Sequence, residues 1–194
     1  MSLSLLAAES RQARPWKNGG GLTWTLASAP EGADLDHLDW RLSLALVERA
    51  GPFSRFAGLD RLTLVLDGEL ELEVDGRPVI LDEASAAAAF AGEAMVAARA
   101  PAAPVADINL LVRRGAFAGV LERRRFETRA AIVGQDITFV MSRLGGVEAA
   151  LAGQRLALGP GDALRVDHAR GGLLRLVLAE PDELIIAHVN AVRA

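Results

Sequence analysis

The sequence predicts an all-β protein made of two similar antiparallel β-sandwich halves packed together. Three observations carry this. Apolar residues recur at period two, in runs of about five to eight that end at glycine, proline or aspartate, as half-buried strands do. Stretches with apolar residues at helical spacing are scarce. Gly68 and Gly76 have the same spacing as Gly145 and Gly153, and one offset of 77 residues relates the two pairs.

Taken in chain order, the apolar run at residues 3–8 is short, follows no basic residue and precedes Glu9 and Arg11, unlike a secretory signal. Trp40-Arg41-Leu42-Ser43-Leu44-Ala45-Leu46 alternates large apolar with polar or small residues, and residues 61–66, 70–74 and 107–112 do likewise. Residues 116–126 are the best helix candidate, with Phe117, Val120, Leu121 and Arg124 on one face, placed where the halves join. In the 77-residue register Phe139-Val140-Met141-Ser142-Arg143 falls on Leu62-Thr63-Leu64-Val65-Leu66, and Leu156-Ala157-Leu158 falls on Val79-Ile80-Leu81. Each half therefore reads strand, glycine, strand, glycine turn, strand, with glycine supplying positive φ where hairpins reverse. The expected division is residues 1–112 for the N-terminal half, which carries the ligand pocket, and 113–194 for the connector and C-terminal half.

Composition narrows the function. With 194 residues, 51% of them hydrophobic, the chain suits one compact domain or two small ones. Its 21 basic and 25 acidic residues leave a net charge of -4, which argues against a surface built to neutralise nucleic-acid phosphates. The absence of cysteine excludes disulfides, thiolate metal sites and cysteine nucleophiles. No apolar run approaches the roughly 18 residues of a membrane span, so no membrane partner is expected and the cytoplasm is the expected location. The apolar content and the open sheet edges point to a homodimer.

Leu158-Gly159-Pro160-Gly161-Asp162-Ala163-Leu164 and the spacing from Arg61 to Gly68 resemble the two conserved motifs of cupin domains, so each half is expected to be a cupin-like jelly roll, a bicupin in all. Many cupins hold a metal through histidines and a carboxylate. Here Arg55-Phe56-Ala57 stands where that motif has His-x-His, and Arg61 stands at the carboxylate position. A guanidinium there attracts an anion and repels a metal, so no metal and no cofactor are expected. Of the histidines, His37 sits among Asp34, Asp36 and Asp39, while Asp167-His168 and His188 meet only if the last strands pair. Ser54 lacks a nucleophile elbow, and no catalytic residue is assigned. Arg113, Arg114, Arg123, Arg124, Arg125 and Arg129 form a basic cluster that Glu122 and Glu127 interrupt, with no helix-turn-helix beside it.

The segment Arg14-Pro15-Trp16-Lys17-Asn18-Gly19-Gly20-Gly21-Leu22-Thr23 combines an aromatic, a cation, an amide and three glycines, whose N–H groups can turn together toward one anion. Its spacing fits neither a Walker loop nor a dinucleotide fingerprint. With Trp40-Arg41-x-Ser43, Gly51-Pro52-Phe53-Ser54-x-Phe56-x-Gly58-x-Asp60-Arg61, and Asp107-x-Asn109 followed by Arg113-Arg114, it resembles the HutD/Ves family across essentially the whole chain. That resemblance implies a bicupin without a recognised metal, associated with histidine utilisation and thought to act as a regulator that senses a pathway metabolite. Trp24 and Thr25 depart from the charged pair usual after the glycine run, and Ala57 replaces the usual proline.

Arg41-x-Ser43-x-Ala45, Arg61-x-Thr63-x-Val65 and Asp107-x-Asn109-x-Leu111 each run from polar to apolar, as a barrel mouth grades into its floor. The expected ligand is a small carboxylate from histidine degradation, such as urocanate or a formimino- or formyl-glutamate. The residues expected to hold it are Trp16, Lys17, Asn18, Gly19, Gly20, Gly21, Thr23, Arg41, Ser43, Phe53, Ser54, Phe56, Arg61 and Asn109. Two other readings stay open: a cofactor-independent enzyme with Lys17 or a histidine as its acid–base group, and a stress-related interaction protein with a vestigial pocket.

Overall fold

A computed structural model describes residues 1–193, which form two compact units. One unit comprises residues 12–118, and the other residues 1–11 with the described residues from 119 on. The expected division at residue 112 therefore shifts to 118, and the first eleven residues leave the N-terminal half. The reason is a strand pairing: Ser2–Leu6 runs antiparallel to Ala163–Asp167, Leu3 opposite Val166 and Leu5 opposite Leu164, which carries Leu3 to the second unit's core.

In the N-terminal unit a six-stranded sheet has the spatial order Ala13–Pro15, Gly21–Ala29, Trp40–Val47, Val105–Arg113, Leu59–Asp67, Ala88–Ala91. A four-stranded sheet orders Gly51–Pro52, Val96–Ala98, Leu70–Val74, Arg77–Leu81. Period-two alternation turns Val47, Val65 and Val105 of the first sheet and Leu70, Leu72, Leu81, Val96 and Ala98 of the second into one core. In the C-terminal unit, Val140, Leu164, Val166, Leu184 and Ile186 pack against Val147, Ala149, Leu151, Leu158, Leu174, Leu176 and Leu178 in the same manner.

The internal repeat is realised strand by strand. Leu70–Val74 and Arg77–Leu81 lie 77 residues before Val147–Leu151 and Gln154–Leu158, and both hairpins pair in matching register, Leu70 with Leu81 and Val147 with Leu158. Asp75 and Ala152, with φ of 49° and 48°, occupy matching left-handed turn positions ahead of Gly76 and Gly153. The interiors differ, since Arg61, Thr63, Asp107 and Asn109 correspond at that offset to Thr138, Val140, Leu184 and Ile186.

The helix expected over residues 116–126 is instead the strand Phe117–Phe126, at the edge of a five-stranded sheet beside Asp182–Ala191. Leu121 is its one fully buried apolar side chain, Val120 stays exposed, and Arg123 pairs with Glu183 of the neighbouring strand at 3.6 Å. Gly119 and β-branched Val120 disfavour a helix, and the apparent helical spacing is incidental.

Candidate anion-binding site

The register of three neighbouring strands stacks the N-terminal interior in tiers. Val47 and Val105 form the deepest pair. Above them Asp107 lies between Ala45 and Val65, Asn109 between Ser43 and Thr63, and Leu111 between Arg41 and Arg61. The expectation that all three strands grade from polar mouth to apolar floor holds for two of them. Val105–Arg113 runs antiparallel to both neighbours, so Asp107 is deep and Leu111 is near the mouth.

This burial shapes the charges. Asp107 has no exposed surface, and Arg61 is 7% exposed. Asn109 Nδ2 donates to Asp107 Oδ1, which turns the amide oxygen of Asn109 toward Arg61. That oxygen accepts from Arg61 Nη2 at 2.6 Å, Arg61 Nε at 2.9 Å and the Thr63 hydroxyl at 2.8 Å. The Nε–Nη2 edge of Arg61 is thus committed inward, and its Nη1 end carries no hydrogen bond to a described residue. Burial brings the Arg61 guanidinium down to about 10, with Asp107 opposing the shift and Arg41 adding to it. Burial pushes the Asp107 carboxyl up to about 6, against the pull of Arg61 and the hydrogen bond from Asn109.

Aromatic rings close over the guanidiniums. The Arg61 guanidinium carbon lies 4.5 Å from the centre of the Phe53 ring, 5.6 Å from Phe90 and 5.9 Å from Phe56. Arg41 stands 5.7 Å from the same Phe56 ring, so both cations converge on one phenyl group. Burial, and behind it Arg14, lowers Arg41 below the usual guanidinium range, and its Nε is buried without an acceptor. Phe53 and Phe56 belong to a strap that crosses this end of the barrel. Phe53 N–H donates to Val96 O, Phe56 N–H to Gly92 O, and Gly58 N–H to Glu93, which Arg114 pairs at 2.8 Å.

Of the residues expected at the site, Arg41, Ser43, Phe53, Phe56, Arg61 and Asn109 come together here. Trp16 stacks edge-on to Phe53 at 5.8 Å, and its indole N–H donates to the Thr23 hydroxyl at 2.7 Å. Lys17 and Ser54 are exposed and outside the cluster. The expectation that the glycine N–H groups converge on an anion is not met: Gly19 N–H donates to Trp16 O, and Gly20 N–H to Asn18 Oδ1. Asn18 and Gly19 shape a reverse turn, and Gly21 is required because a Cβ there would lie 2.1 Å from Leu46 O. The expected residues omit Asp107, Thr63 and Phe90. The alternation of Asp107-x-Asn109 is the signal for the first, while Phe90, opposite Arg61, comes from a strand whose alanines carry little pattern.

Other candidates resolve differently. Asp167 faces Arg165 at 2.8 Å instead of a histidine, and His188 Nδ1 bonds the Thr138 hydroxyl at 3.0 Å. Arg114, Arg123, Arg124 and Arg125 each pair with a carboxylate, so the basic cluster offers no unneutralised stripe of these four. Among the described residues no three His, Asp or Glu side chains are grouped to hold a metal ion. Two guanidiniums and three phenyl rings make a donor set unsuited to a cation. No helix among the described residues is long and apolar enough to cross a membrane.

The profile of the family described as HutD matches residues 8–186. An uncharacterized 21.2 kDa protein in the hutC 3′ region of Pseudomonas putida is 34% identical over 168 residues, 85% of this chain and 87% of that protein. A conserved protein of unknown function from Pseudomonas aeruginosa PAO1 superposes with a TM-score of 0.90 at 30% identity, covering 98% of this chain and all of that one. HutD from Pseudomonas fluorescens SBW25 gives 0.80 at 28% identity, with 99% and 100% covered. Likeness to a cupin 2 conserved barrel domain protein from Leptotrichia buccalis, with a TM-score of 0.54 at 8% identity over 78% of this chain and 84% of that one, shows the fold alone.

Proposed function

The chain belongs to the HutD family, and on that premise we propose that its N-terminal unit binds a small carboxylate metabolite of histidine degradation and regulates histidine utilisation in response. One observation carries the reading. Two guanidiniums, Arg41 and Arg61, converge on Phe56 while Asp107 is the only buried carboxylate of this unit among the described residues, and Arg41 Nε is buried without an acceptor. A buried donor of that kind calls for a partner, and a carboxylate supplies both the missing acceptor and the missing charge. Because the strap residues Phe53 and Phe56 cover Arg61, entry of the ligand displaces at least one of these rings. Binding is favoured over catalysis because Lys17 is exposed, no histidine is among the residues of this cluster, and its one base, Asp107, has no exposed surface and is held by Asn109 beneath Arg61.

The test is calorimetric titration with urocanate, formimino-glutamate and formyl-glutamate, beside thermal melts, since a ligand that binds the folded state raises its melting temperature. At least one acid is expected to bind wild type and to lose ten-fold or more in affinity in Arg41→Met, a loss on the order of one charge-assisted hydrogen bond. Equal binding by folded Arg41→Met would remove the site, and product analysis of the mixture would reveal turnover if the protein were an enzyme.

A further inference from the structure

We propose that a carboxylate enters the Arg41/Arg61 site together with a proton, which Asp107 takes up on Oδ2. This rests on the anion-site reading above and adds the ionic form in which the site is filled. The geometry puts Asp107 in competition with the ligand. Its carboxylate interacts with Arg61 from the next strand, Arg61 in turn with Arg41, and Arg41 with Arg14, and no second buried acid shares that interior among the described residues. A ligand anion that takes up the Nη1 end of Arg61 and Nε of Arg41 draws on the same positive charge that keeps Asp107 ionised. It also sets a second negative charge near Asp107 in a wall of Leu, Val and Phe side chains, where screening is weak.

Asp107 has one oxygen free to respond. Oδ1 is engaged by Asn109, whereas Oδ2 is buried without any hydrogen-bond partner. A proton on Oδ2 removes the charge without disturbing the Asp107–Asn109–Arg61 chain, because Oδ1 continues to accept from the amide. The carboxyl is already pushed up to about 6 before any anion arrives, so only a modest further rise brings it across neutral pH. Linkage makes the effect reciprocal: if the anion promotes protonation, protonation tightens the anion. Asp107 is therefore a positioning residue that holds Arg61 through Asn109 and also sets the pH range in which the site fills.

The test is titration of urocanate and N-formyl-glutamate into wild type and Asp107→Asn at pH 7 in two buffers of different ionisation heat. Protons belonging to the ligand appear in both proteins and cancel. Wild type is expected to take up more protons than Asp107→Asn, by about half a proton or more per site. The ratio of its affinity at pH 5.5 to that at pH 7.5 is expected to exceed the same ratio for Asp107→Asn by about threefold or more. A merely structural Asp107 moves the melting temperature and leaves that pH profile unchanged. Binding with equal proton uptake in the two proteins overturns this inference while leaving the anion site standing. Binding of neither acid to wild type overturns both. If Asp107→Asn does not fold, wild type with N-formyl-glutamate, which has no group titrating between pH 5.5 and 7.5, suffices: buffer-independent heat refutes the proposal.

Discussion

Arg61→Ala is expected to cost stability, and the cost is expected to depend on pH. The substitution removes a guanidinium that is 7% exposed, its three hydrogen bonds to Asn109 and Thr63, and its approach to three phenyl rings. Breaking a buried pair by deleting one partner costs about 3–5 kcal/mol, mostly because the other charge is left without compensation. That remaining charge is Asp107. Its carboxyl stands at about 6 in the folded wild type against 3.8 as an ordinary group. Folded-state protonation is thus favoured, and the contribution of this group to stability declines as pH rises from about 4 through 6, by about 3 kcal/mol in all. Without Arg61 the carboxyl rises further, so the decline extends to higher pH. Denaturant unfolding at pH 5 and pH 8 should therefore show the larger loss at pH 8, and Arg61→Met combined with Asp107→Leu should recover most of it, because apolar replacement of a whole buried pair is close to neutral. Arg61→Ala within 1 kcal/mol of wild type at pH 8, where a loss of about 3–5 is expected, would refute the buried pair and with it the charge imbalance behind the proposed site.

Other outcomes follow from particular contacts. Gly21→Ala should lower stability by several kcal/mol in denaturant titration, since its Cβ would meet Leu46 O at 2.1 Å within a paired strand. Gly145→Ala should cost clearly more than Gly153→Ala: both have positive φ, but only the former brings a Cβ to 2.5 Å from Pro160 N. Glu93→Ala, which frees the Gly58 N–H and leaves Arg114 with Asp60 as its one carboxylate partner, should speed tryptic cleavage after Arg55 in the strap, read by mass spectrometry. Elemental analysis of the purified protein is expected to find no stoichiometric transition ion. Light scattering is expected to give twice the 20.5 kDa chain mass, with open strand edges such as Arg129–Val133 available for pairing.

The strands are legible because alternation and glycine turns report local geometry. Trp40–Val47, Leu59–Asp67, Leu70–Val74 and Val105–Arg113 lie within a few residues of the runs read from the sequence. The 77-residue repeat is legible for the same reason, since turn glycines with positive φ cannot easily be replaced. Direction is not legible: period two reveals which side chains share a face but not which way a strand runs, so the pattern suggests a place at the mouth for Asp107, which lies deep. Residues 116–126 mislead because helical spacing and an edge strand with few buried side chains are hard to separate in so short a segment. The glycine run suggests an anion cradle because its composition is that of a cradle, while the steric demand at Gly21 comes from Leu46, far away in sequence.

The matched interiors of the two barrels bear on how such a site arises and persists. Buried ionised groups weaken the structure that contains them, whereas Val140, Leu184 and Ile186 fill the corresponding places with side chains that strengthen it. On the proposed anion-site reading the two interiors answer to different demands: positions 63, 107 and 109 to the chemistry of a ligand, and positions 140, 184 and 186 to apolar packing. Thr138→Arg, Val140→Thr, Leu184→Asp and Ile186→Asn are the changes that would write the same polar core into the second copy. The second interior, aliphatic at positions 140, 184 and 186, is thus a scaffold for grafting, one in which the worth of each polar residue can be measured apart from the site proposed for the first.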